Sequence, residues 1–467
     1  MKKDRMDHIA QAFAAQKAGV GRRRLEFGLA ARRRALADLH AILKRREAEI
    51  IAAIAADFGK PEVEVILTEI LPVSQEIRAA RRHLRRWMRT RRVMPGIATF
   101  GTSARIRYEA RGTALIISPW NYPFNLALGP LVSCLAAGNS AILKPSEMTP
   151  ATSELIASIV AECFPADLVT VINGDKEVAT ALLELPFDHI FFTGSPAVGS
   201  IVMAAAAKNL SSVSLELGGK SPAVIGPGAD LKQAADWVTF GKFTNAGQTC
   251  IAPDHLFVHD SIRDEFVAIL RARISRAYGE GGKSPFLARI VNAGHATRLR
   301  GLLSDASAKG ARTIMGEAGQ GNDMPPTLIE AITPEMQIDH QEIFGPILPI
   351  FSFCDPDAVI ARINSRPKPL SLYIFERNRG FADHIIESTS SGSVGINLTM
   401  LQFSHGGLPF GGVNHSGMGA AHGEFGFRAF SHQRAILSNR FSALPVLFAP
   451  YGRRVKWLVG VVKRLLG

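Results

Sequence analysis

The chain is poor in the features that define several protein classes. Only four of its 467 residues are cysteines, and no two of them form a Cys-x-x-Cys pair. We therefore expect no zinc or other metal site and no disulfide framework, and a reducing cytoplasm fits best. No run of about 20 apolar residues occurs, so no membrane span is expected. The first residues lack an apolar stretch followed by a cleavage site, so we expect no signal peptide.

Two common nucleotide-binding signatures are also missing. The dinucleotide fingerprint Gly-x-Gly-x-x-Gly does not occur. Two Gly-Lys-Ser triplets, at residues 219–221 and 282–284, lack the earlier glycine of a P-loop, because position 214 is Ser and position 277 is Ala. We therefore reject a P-loop, and a dinucleotide site has to depend on other motifs.

What the chain does contain is typical of a globular enzyme. It is 47% hydrophobic and 20% charged, and its length predicts two or three domains. The net charge of +13 is concentrated at the ends. Residues 1–92 hold 22 Lys and Arg against 11 Asp and Glu, and residues 439–467 hold six against none. The basic excess therefore lies outside the central body.

The order of apolar segments predicts an α/β fold. Residues 7–57 and 62–92 have helical spacing, and residues 104–110 alternate in polarity like an exposed strand. Short apolar runs separated by helical segments then indicate a parallel sheet covered on both faces. The predicted strands are residues 113–118, 141–144, 168–172, 189–192, 214–216, 223–225, 256–258, 348–351 and 393–397. We place a domain boundary near residues 217–219.

Two residues have the chemistry that acyl transfer through an enzyme thioester requires. Cys250 ends the glycine-flanked stretch 241–250, and Glu216 begins Glu-Leu-Gly-Gly-Lys 34 residues earlier. A thiolate is a strong nucleophile and a carboxylate can act as a general base. A lone cysteine is more often a small buried hydrophobe, so the assignment depends on the other motifs.

Several polar motifs follow predicted strands, where open α/β sheets bind their ligands. Asn121 lies in Pro-Trp-Asn and offers an amide N–H for an oxyanion. In Lys-Pro-Ser-Glu, Lys144 and Glu147 can hold ribose hydroxyls. Residues 192–195, Phe-Thr-Gly-Ser, open a helix that favours phosphate. Each motif alone is equally compatible with a turn or a helix cap.

Together the motifs closely resemble the aldehyde dehydrogenase superfamily. Seven blocks occur in the family's order over nearly the whole chain, the last three being residues 247–250, 342–346 and 409–412. The stretch 416–432 resembles the class 3 branch, which includes fatty, aromatic and coniferyl aldehyde dehydrogenases.

The resemblance implies a Rossmann-like cofactor domain, an α/β catalytic domain and a small β oligomerisation arm. The corresponding segments are residues 1–98 and 113–217 for NAD(P) binding, 218–412 for catalysis, and 99–112 with 416–440 for the arm and its surroundings. Residues 441–467 remain as a basic amphipathic tail. Class 3 members usually form dimers, so a homodimer is expected.

The resemblance also implies a role for each matched residue. Cys250 is the nucleophile that attacks the aldehyde, Asn121 and the backbone N–H of Cys250 hold the oxyanion, and Glu216 activates the hydrolytic water. The implied cofactor-binding residues are Trp120, Lys144, Glu147, Thr193, Gly194, Ser195, Glu342 and Phe344. Glu147 in the ribose site favours NAD, although class 3 enzymes often accept NADP as well.

The leading hypothesis is therefore NAD(P)-dependent oxidation of a hydrophobic aldehyde, aliphatic or aromatic, to its acid. A CoA-acylating dehydrogenase is one alternative, which the presence of Glu216 disfavours. A non-enzymatic membrane or nucleic-acid binder is the other. The basic residues lack interleaved aromatics, so we expect no nucleic-acid partner.

The C-terminal residues 453–467 predict a basic amphipathic helix. Trp457, Val461 and Leu465 fall on its apolar face, and Lys456 and Lys463 on the other. Such a helix can lie in a membrane interface, which would place the protein peripherally on an inner membrane face. Docking on the body and covering the substrate tunnel are the alternatives.

Overall fold

A computed structural model describes residues 2–96, 99–279 and 283–466. The helices within these residues are α1 (Lys2–Ala18), α2 (Val20–Glu26), α3 (Leu29–Arg45), α4 (Glu47–Phe58), α5 (Glu62–Val65), α6 (Leu71–Trp87), α7 (Asn125–Ala137), α8 (Pro150–Cys163), α9 (Lys176–Leu183), α10 (Pro196–Lys208), α11 (Leu231–Phe243), α12 (Arg263–Tyr278), α13 (Ala293–Ala308), α14 (Gln337–His340), α15 (Pro356–Asn364), α16 (Arg379–Ser388), α17 (Leu401–Ser404), α18 (Gly423–Ala429) and α19 (Arg453–Leu466). A π-helical turn, Ile66–Ile70, joins α5 to α6.

The strands form three separate sheets. In chain order they are β1 (Arg91–Val93), β2 (Thr102–Ala110), β3 (Thr113–Ile117), β4 (Ser140–Lys144), β5 (Val169–Val171), β6 (His189–Gly194), β7 (Ser212–Leu217), β8 (Pro222–Ile225), β9 (His255–His259), β10 (Arg312–Met315), β11 (Thr327–Glu330), β12 (Ile347–Phe353), β13 (Ser371–Phe375), β14 (Ser393–Ile396), β15 (Gly417–Met418) and β16 (Ser431–Asn439). The predicted α/β class is confirmed.

The six-stranded sheet has the order β15-β7-β6-β3-β4-β5. Strands β3 to β7 are parallel, and β15 pairs antiparallel to β7. The chain proceeds outward from β3 to β4 and β5, and then returns to the other side of β3 with β6 and β7. The carboxyl ends of β3 and β6 therefore flank a topological switch point, which is where such sheets bind ligands.

The seven-stranded sheet has the order β10-β11-β12-β9-β8-β13-β14. All its pairs are parallel except β10 with β11. It begins five residues after β7 ends, because only residues 218–221 separate β7 from β8. One continuous apolar core includes Ala114 and Ile116 of β3 together with Ile225 and Leu256 of β8 and β9. The two sheets are thus joined by common packing as well as by a short connection.

The third sheet is antiparallel, with the order β1-β2-β16. The predicted arm segments, residues 99–112 and 416–440, contain β2 and β16. The structure adds β1 to this sheet and pairs residues 417–418 with β7 of the six-stranded sheet instead. Most of β16 is exposed, and it is an edge strand.

The C-terminal segment differs from the rest of the chain in its exposed apolar side chains. Phe441, Phe448, Tyr451 and Trp457 are each more than 60% exposed. The predicted basic helix is present as α19. Within the described residues, no helix has the length and apolarity that crossing a membrane requires.

Candidate active site

The loop that precedes Cys250 has an unusual backbone. Asn245, Ala246 and Gly247 all have positive φ angles, of 57°, 52° and 72°. At Gly247, a Cβ atom would lie 2.4 Å from the carbonyl oxygen of Gly345. Glycine is needed there for both reasons, because a side chain would be strained and would collide with the 342–346 turn. The glycine therefore lets two of the sequence motifs approach each other.

Hydrogen bonds from Gln248 hold this loop in place. The Gln248 side chain donates to the carbonyl oxygens of Asn245 at 3.0 Å and Arg289 at 3.1 Å. Its own amide oxygen accepts from the backbone N–H of Val291 at 3.0 Å. Gln248 is fully buried, so each of these bonds satisfies a group that water does not reach. The thiol two residues later is consequently carried on a firmly anchored support.

Cys250 and Glu216 line the same cavity, which has a volume of about 340 Å³. Cys250 is half-buried and Glu216, at the end of β7, is buried. Neither carboxyl oxygen of Glu216 has a hydrogen-bond partner within the described chain. Other lining side chains are mainly apolar, including Leu67, Leu71, Phe240, Met400, Phe403 and Phe410. The arrangement joins a nucleophile and a potential base at the wall of an apolar chamber.

Burial shifts the pKa values of both groups. Burial and, secondarily, the carboxyls of Glu342 and Glu216 raise the pKa of the Cys250 thiol to about 12. Burial also raises the pKa of Glu216 well above its usual value of 4.5. A raised pKa makes the ionised carboxylate a stronger base, which is the property that a general base needs.

Asn121 lies beside the Cys250 loop. Its side-chain amide donates to the carbonyl oxygen of Gln248 at 3.0 Å, and its backbone oxygen accepts from the Asn245 side chain at 2.9 Å. Asn121 is buried and does not line the cavity, whereas the next residue, Tyr122, does. The amide has two N–H groups, so one remains beyond the bond to Gln248.

Trp120 and Phe344, two predicted cofactor-binding residues, are brought together. Their rings are 5.4 Å apart in an edge-to-face arrangement. The ring of His295, near the start of α13, lies 4.9 Å from that of Trp120 on another side. The aromatic group stands at the carboxyl end of β3, next to the switch point.

The polar residues at neighbouring strand ends lie along the same edge. Lys144 Nζ contacts Glu147 Oε2 at 2.6 Å, with the lysine buried and the glutamate exposed. The buried hydroxyl of Thr193 has no partner among the described residues. Ser195 caps α10 by accepting from the backbone N–H of Val198. Thr193 lines the Cys250 cavity, whereas Lys144, Glu147 and Ser195 do not, so the strand-end residues extend from the thiol's chamber to a region outside it.

Glu342 connects the polar residues at the strand ends with the thiol of Cys250. Its Oε1 accepts from the backbone N–H of Gly219 at 3.1 Å, and a Cβ on Gly218 would lie 2.3 Å from its Oε2. Burial raises the pKa of Glu342 to about 7. The glutamate therefore rests on the two glycines that follow β7, close enough to the thiol to affect its pKa.

Several supporting residues had no signal in the sequence motifs. Arg298 donates to the carbonyl oxygen of Glu342 at 3.2 Å, and also to that of Ile343. The buried carboxylate of Asp254 pairs with Lys220 and accepts from the Ile343 backbone N–H at 2.9 Å. These contacts join residues 34 to 89 positions apart, so local spacing could not reveal them.

A second missed pair lies on the cavity wall. His422 Nδ1 is 3.0 Å from Glu76 Oε1, and the His422 ring packs against Phe403 and Phe410. His422 belongs to the class 3-like stretch, which was the only signal for it. The partner, Glu76, lies in α6, 346 residues earlier.

Comparison with known proteins gives a consistent result. The model of the aldehyde dehydrogenase family matches residues 2–436. The chain is 40% identical to the 4,4'-diaponeurosporen-aldehyde dehydrogenase of Staphylococcus aureus, with 98% of this chain and 100% of the relative covered. It is 42% identical to aldehyde dehydrogenase family 3 member A2 of Mus musculus, over 86% of this chain and 83% of the relative.

Solved structures of aldehyde dehydrogenases also match this chain. The substrate-bound AldH of Staphylococcus aureus superimposes with a TM-score of 0.91 at 39% identity, covering 97% of this chain and 99% of that one. The NADP complex of a glyceraldehyde-3-phosphate dehydrogenase from Bacillus halodurans gives 0.86 at 27% identity, covering 93% and 92%. The chain therefore belongs to the aldehyde dehydrogenase family, and its relatives include class 3 members. It is an NAD(P)-dependent aldehyde dehydrogenase.

Proposed function

We propose that this enzyme oxidises a hydrophobic aldehyde, either aliphatic of medium or long chain or aromatic, to the carboxylic acid. The observation that carries the proposal is the shared cavity of Cys250 and Glu216, whose other walls are mainly apolar. A chamber of about 340 Å³ is within the size range of small-molecule sites. An apolar wall favours a hydrocarbon substrate because burial removes that surface from water.

The residues at the strand ends fit a nicotinamide dinucleotide. The unpartnered Thr193 hydroxyl and the N-terminus of α10 offer donors for a pyrophosphate, and the glycine cradle of Glu342 leaves its carboxylate available to a ribose. When bound, the cofactor supplies a hydride acceptor. The residues proposed to hold it are Trp120, Lys144, Glu147, Thr193, Gly194, Ser195, Glu342 and Phe344. Residues 1–98 and 113–217 would then form the cofactor domain and 218–412 the catalytic domain.

Cys250 is proposed as the nucleophile. Its sulfur bonds to the aldehyde carbon, and the electrons of the carbonyl bond move to oxygen as the thiohemiacetal forms. The Asn121 amide and the backbone N–H of Cys250 donate to that oxygen. Loss of one such donor typically costs about 3 kcal/mol of barrier. The thiol must first lose its proton to solvent water, and its raised pKa opposes this loss.

Glu216 is proposed as the base for the second half of the reaction. Once the thioester has formed on Cys250, a water molecule attacks its carbonyl carbon and Glu216 accepts a proton from that water. The carbon–sulfur bond then breaks, which releases the acid and restores the thiol. Because the pKa values of both Cys250 and Glu216 are raised, we expect turnover to increase from neutral towards alkaline pH.

NAD is the proposed preferred cofactor. Glu147 lies beside Lys144 at the proposed adenosine ribose site and would repel a 2′-phosphate. The test is an absorbance assay of NADH or NADPH formation with hexanal, decanal and benzaldehyde. Turnover of these aldehydes with either cofactor supports the reaction. Its absence across the panel would contradict it, and formation of acyl-CoA only in the presence of CoA would indicate the acylating reaction instead.

We also propose a homodimer and a peripheral membrane contact on the cytoplasmic face. The exposed edge strand β16 is available for pairing with a second copy of the arm, which sedimentation velocity would detect. The tail combines the exposed ring of Trp457 with six Lys and Arg and no acid in residues 439–467. Such a segment is suited to an anionic lipid surface.

A further inference from the structure

A buried charged segment lies behind the proposed active site. Residues 60–69, here called the N-terminal clamp, include the fully buried Lys60 and Glu69, whose side chains pair at 2.9 Å. Burial lowers the pKa of Lys60 and raises that of Glu69, and their contact opposes both shifts. Burying two charges is costly, so this pair needs good geometry and further hydrogen bonds.

One link runs from the clamp to the loop that carries the thiol. Glu64 Oε2 accepts from the backbone N–H of Asn245 at 2.8 Å. Asn245 is the first of the three residues with positive φ, and a backbone in this conformation needs stabilising contacts such as the one to its N–H. The Asn245 side chain donates both to the Asn121 carbonyl oxygen, at 2.9 Å, and to the Gln248 carbonyl oxygen, at 3.1 Å. Glu64 thus fixes Asn245, the residue that joins the Asn121 loop to the Cys250 loop.

A second link runs through Tyr122, the neighbour of Asn121. The Lys60 ammonium lies 3.9 Å from the centre of the Tyr122 ring, which is a favourable cation–π geometry. The Tyr122 hydroxyl is 2.6 Å from that of Thr249, the residue before Cys250. The ring is therefore held between the clamp on one side and the thiol's loop on the other.

Glu69, another carboxylate of the clamp, fixes the other end of the Asn121 loop. Glu69 Oε2 accepts from the backbone N–H of Asn125 at 2.9 Å, at the start of α7. The Asn125 side chain donates in return to the Thr68 carbonyl oxygen at 3.0 Å. Contacts from residues 60–69 consequently reach the loop of the amide and the loop of the thiol from one rigid support.

We propose that Lys60, Glu64 and Glu69 are positioning residues, which set the place of the Asn121 amide relative to the Cys250 sulfur. They touch neither reacting atom. Gln248 also ties the thiol's loop to Arg289 and Val291, which lie outside the clamp, so we expect loss of a clamp contact to displace the amide more than the sulfur. This inference rests on the proposed reaction, in which that amide stabilises the oxyanion.

The decisive variant is Glu64→Ala. We expect kcat and kcat/KM for the aldehyde to fall about tenfold, because small displacements of a catalytic group are costly. Alkylation of Cys250 by iodoacetamide should stay within about twofold of the wild-type rate, since that substitution develops no oxyanion. Glu64→Gln keeps an acceptor for the Asn245 N–H and should recover activity to within about threefold.

Two further variants complete the experiment. Tyr122→Phe removes the hydroxyl that contacts Thr249 but keeps the ring over Lys60, and we expect a fall in kcat of about fivefold, again without slower alkylation. Glu62→Ala changes an exposed glutamate of the same short helix α5 and should leave both rates unchanged. Melting temperatures of all variants separate loss of folding from loss of positioning.

Unchanged turnover in Glu64→Ala and Tyr122→Phe would overturn the proposal. A parallel fall in turnover and alkylation would also overturn it, because the thiol rather than the amide would have moved. If Glu64→Ala does not fold, the rates of aldehyde turnover and of Cys250 alkylation in Glu64→Gln and Tyr122→Phe test the proposal instead. A failure of the proposed reaction is distinguishable, because the wild-type enzyme would then show no aldehyde turnover at all.

Discussion

The loop before Cys250 and the C-terminal tail differ in how far their side chains are buried. In residues 241–249 every side chain is buried and the polar groups of Gln248 all have partners. In the tail, the rings of Phe441, Phe448 and Trp457 are exposed. The side chains of the loop are buried and hydrogen-bonded within one chain, whereas the tail exposes apolar surface that a partner would cover. We therefore expect catalysis to depend on the loop and any contact with a membrane to depend on the tail.

The largest expected effect is the loss of the proposed nucleophile. Cys250→Ser should reduce aldehyde turnover by about a thousandfold or more, because no alternative thiol lines the cavity in the described structure. Cofactor binding, followed by fluorescence titration, should be retained, since the proposed cofactor-binding residues are unchanged. Substantial remaining turnover would mean that the loop is not the catalytic region.

Glu216→Gln should reduce turnover by about a hundredfold. The variant should still form the thioester, so intact-protein mass spectrometry should detect an acyl adduct on Cys250 that the wild type does not accumulate. Equal turnover of the variant and the wild type would exclude Glu216 as the base for hydrolysis.

The same variant tests the pKa shift through stability. The folded-state pKa of Glu216 lies above 4.5, so its contribution is fully present below pH 4.5 and is lost as the pH rises through the folded value. Glutamine does not ionise. Glu216→Gln should therefore melt at a higher temperature than the wild type at alkaline pH, with the difference shrinking as the pH falls. A constant difference across pH would contradict this assignment.

Gly247→Ala should destabilise the fold by about 2–4 kcal/mol, because the residue has a positive φ and the new Cβ collides with the Gly345 carbonyl oxygen. Gly301→Ala is the matched control. Gly301 is in α13 with open space around its Cβ position, so alanine should stabilise by about 0.5–1 kcal/mol. Chemical denaturation measures both, and similar values for the two would refute the special role of the loop.

The smallest effect on activity should come from removing the tail. Truncation after Ala449 should change kcat on a short aldehyde by less than about twofold, yet abolish co-sedimentation with anionic vesicles at low salt. Equal pelleting of the truncated protein would exclude the tail as the membrane contact. A large change in the chain-length profile would instead indicate that the tail covers the substrate tunnel.

The sequence alone was sufficient for the α/β class, the family and most strands before residue 260. Strands β10, β11 and β13 were not predicted, because β10 is an edge strand and the buried runs of β11 and β13 cannot be told from buried helix by periodicity. The two-residue strand β15 pairs with β7, although its segment was assigned to the arm and its surroundings. Motifs at strand ends were informative because parallel strands bring their carboxyl ends to one edge.

What residue order determined by itself is the set of chemical groups: a thiol on a glycine-flanked stretch, and a carboxyl and an amide at the ends of apolar runs. Only the tertiary structure decided how they are held. Glu64 reaches Asn245 across 181 positions, Glu76 reaches His422 across 346, and Glu342 rests on the glycines after β7. Such contacts depend on how whole elements pack, and burial, which shifts the pKa values of Cys250 and Glu216, exists only once they have done so.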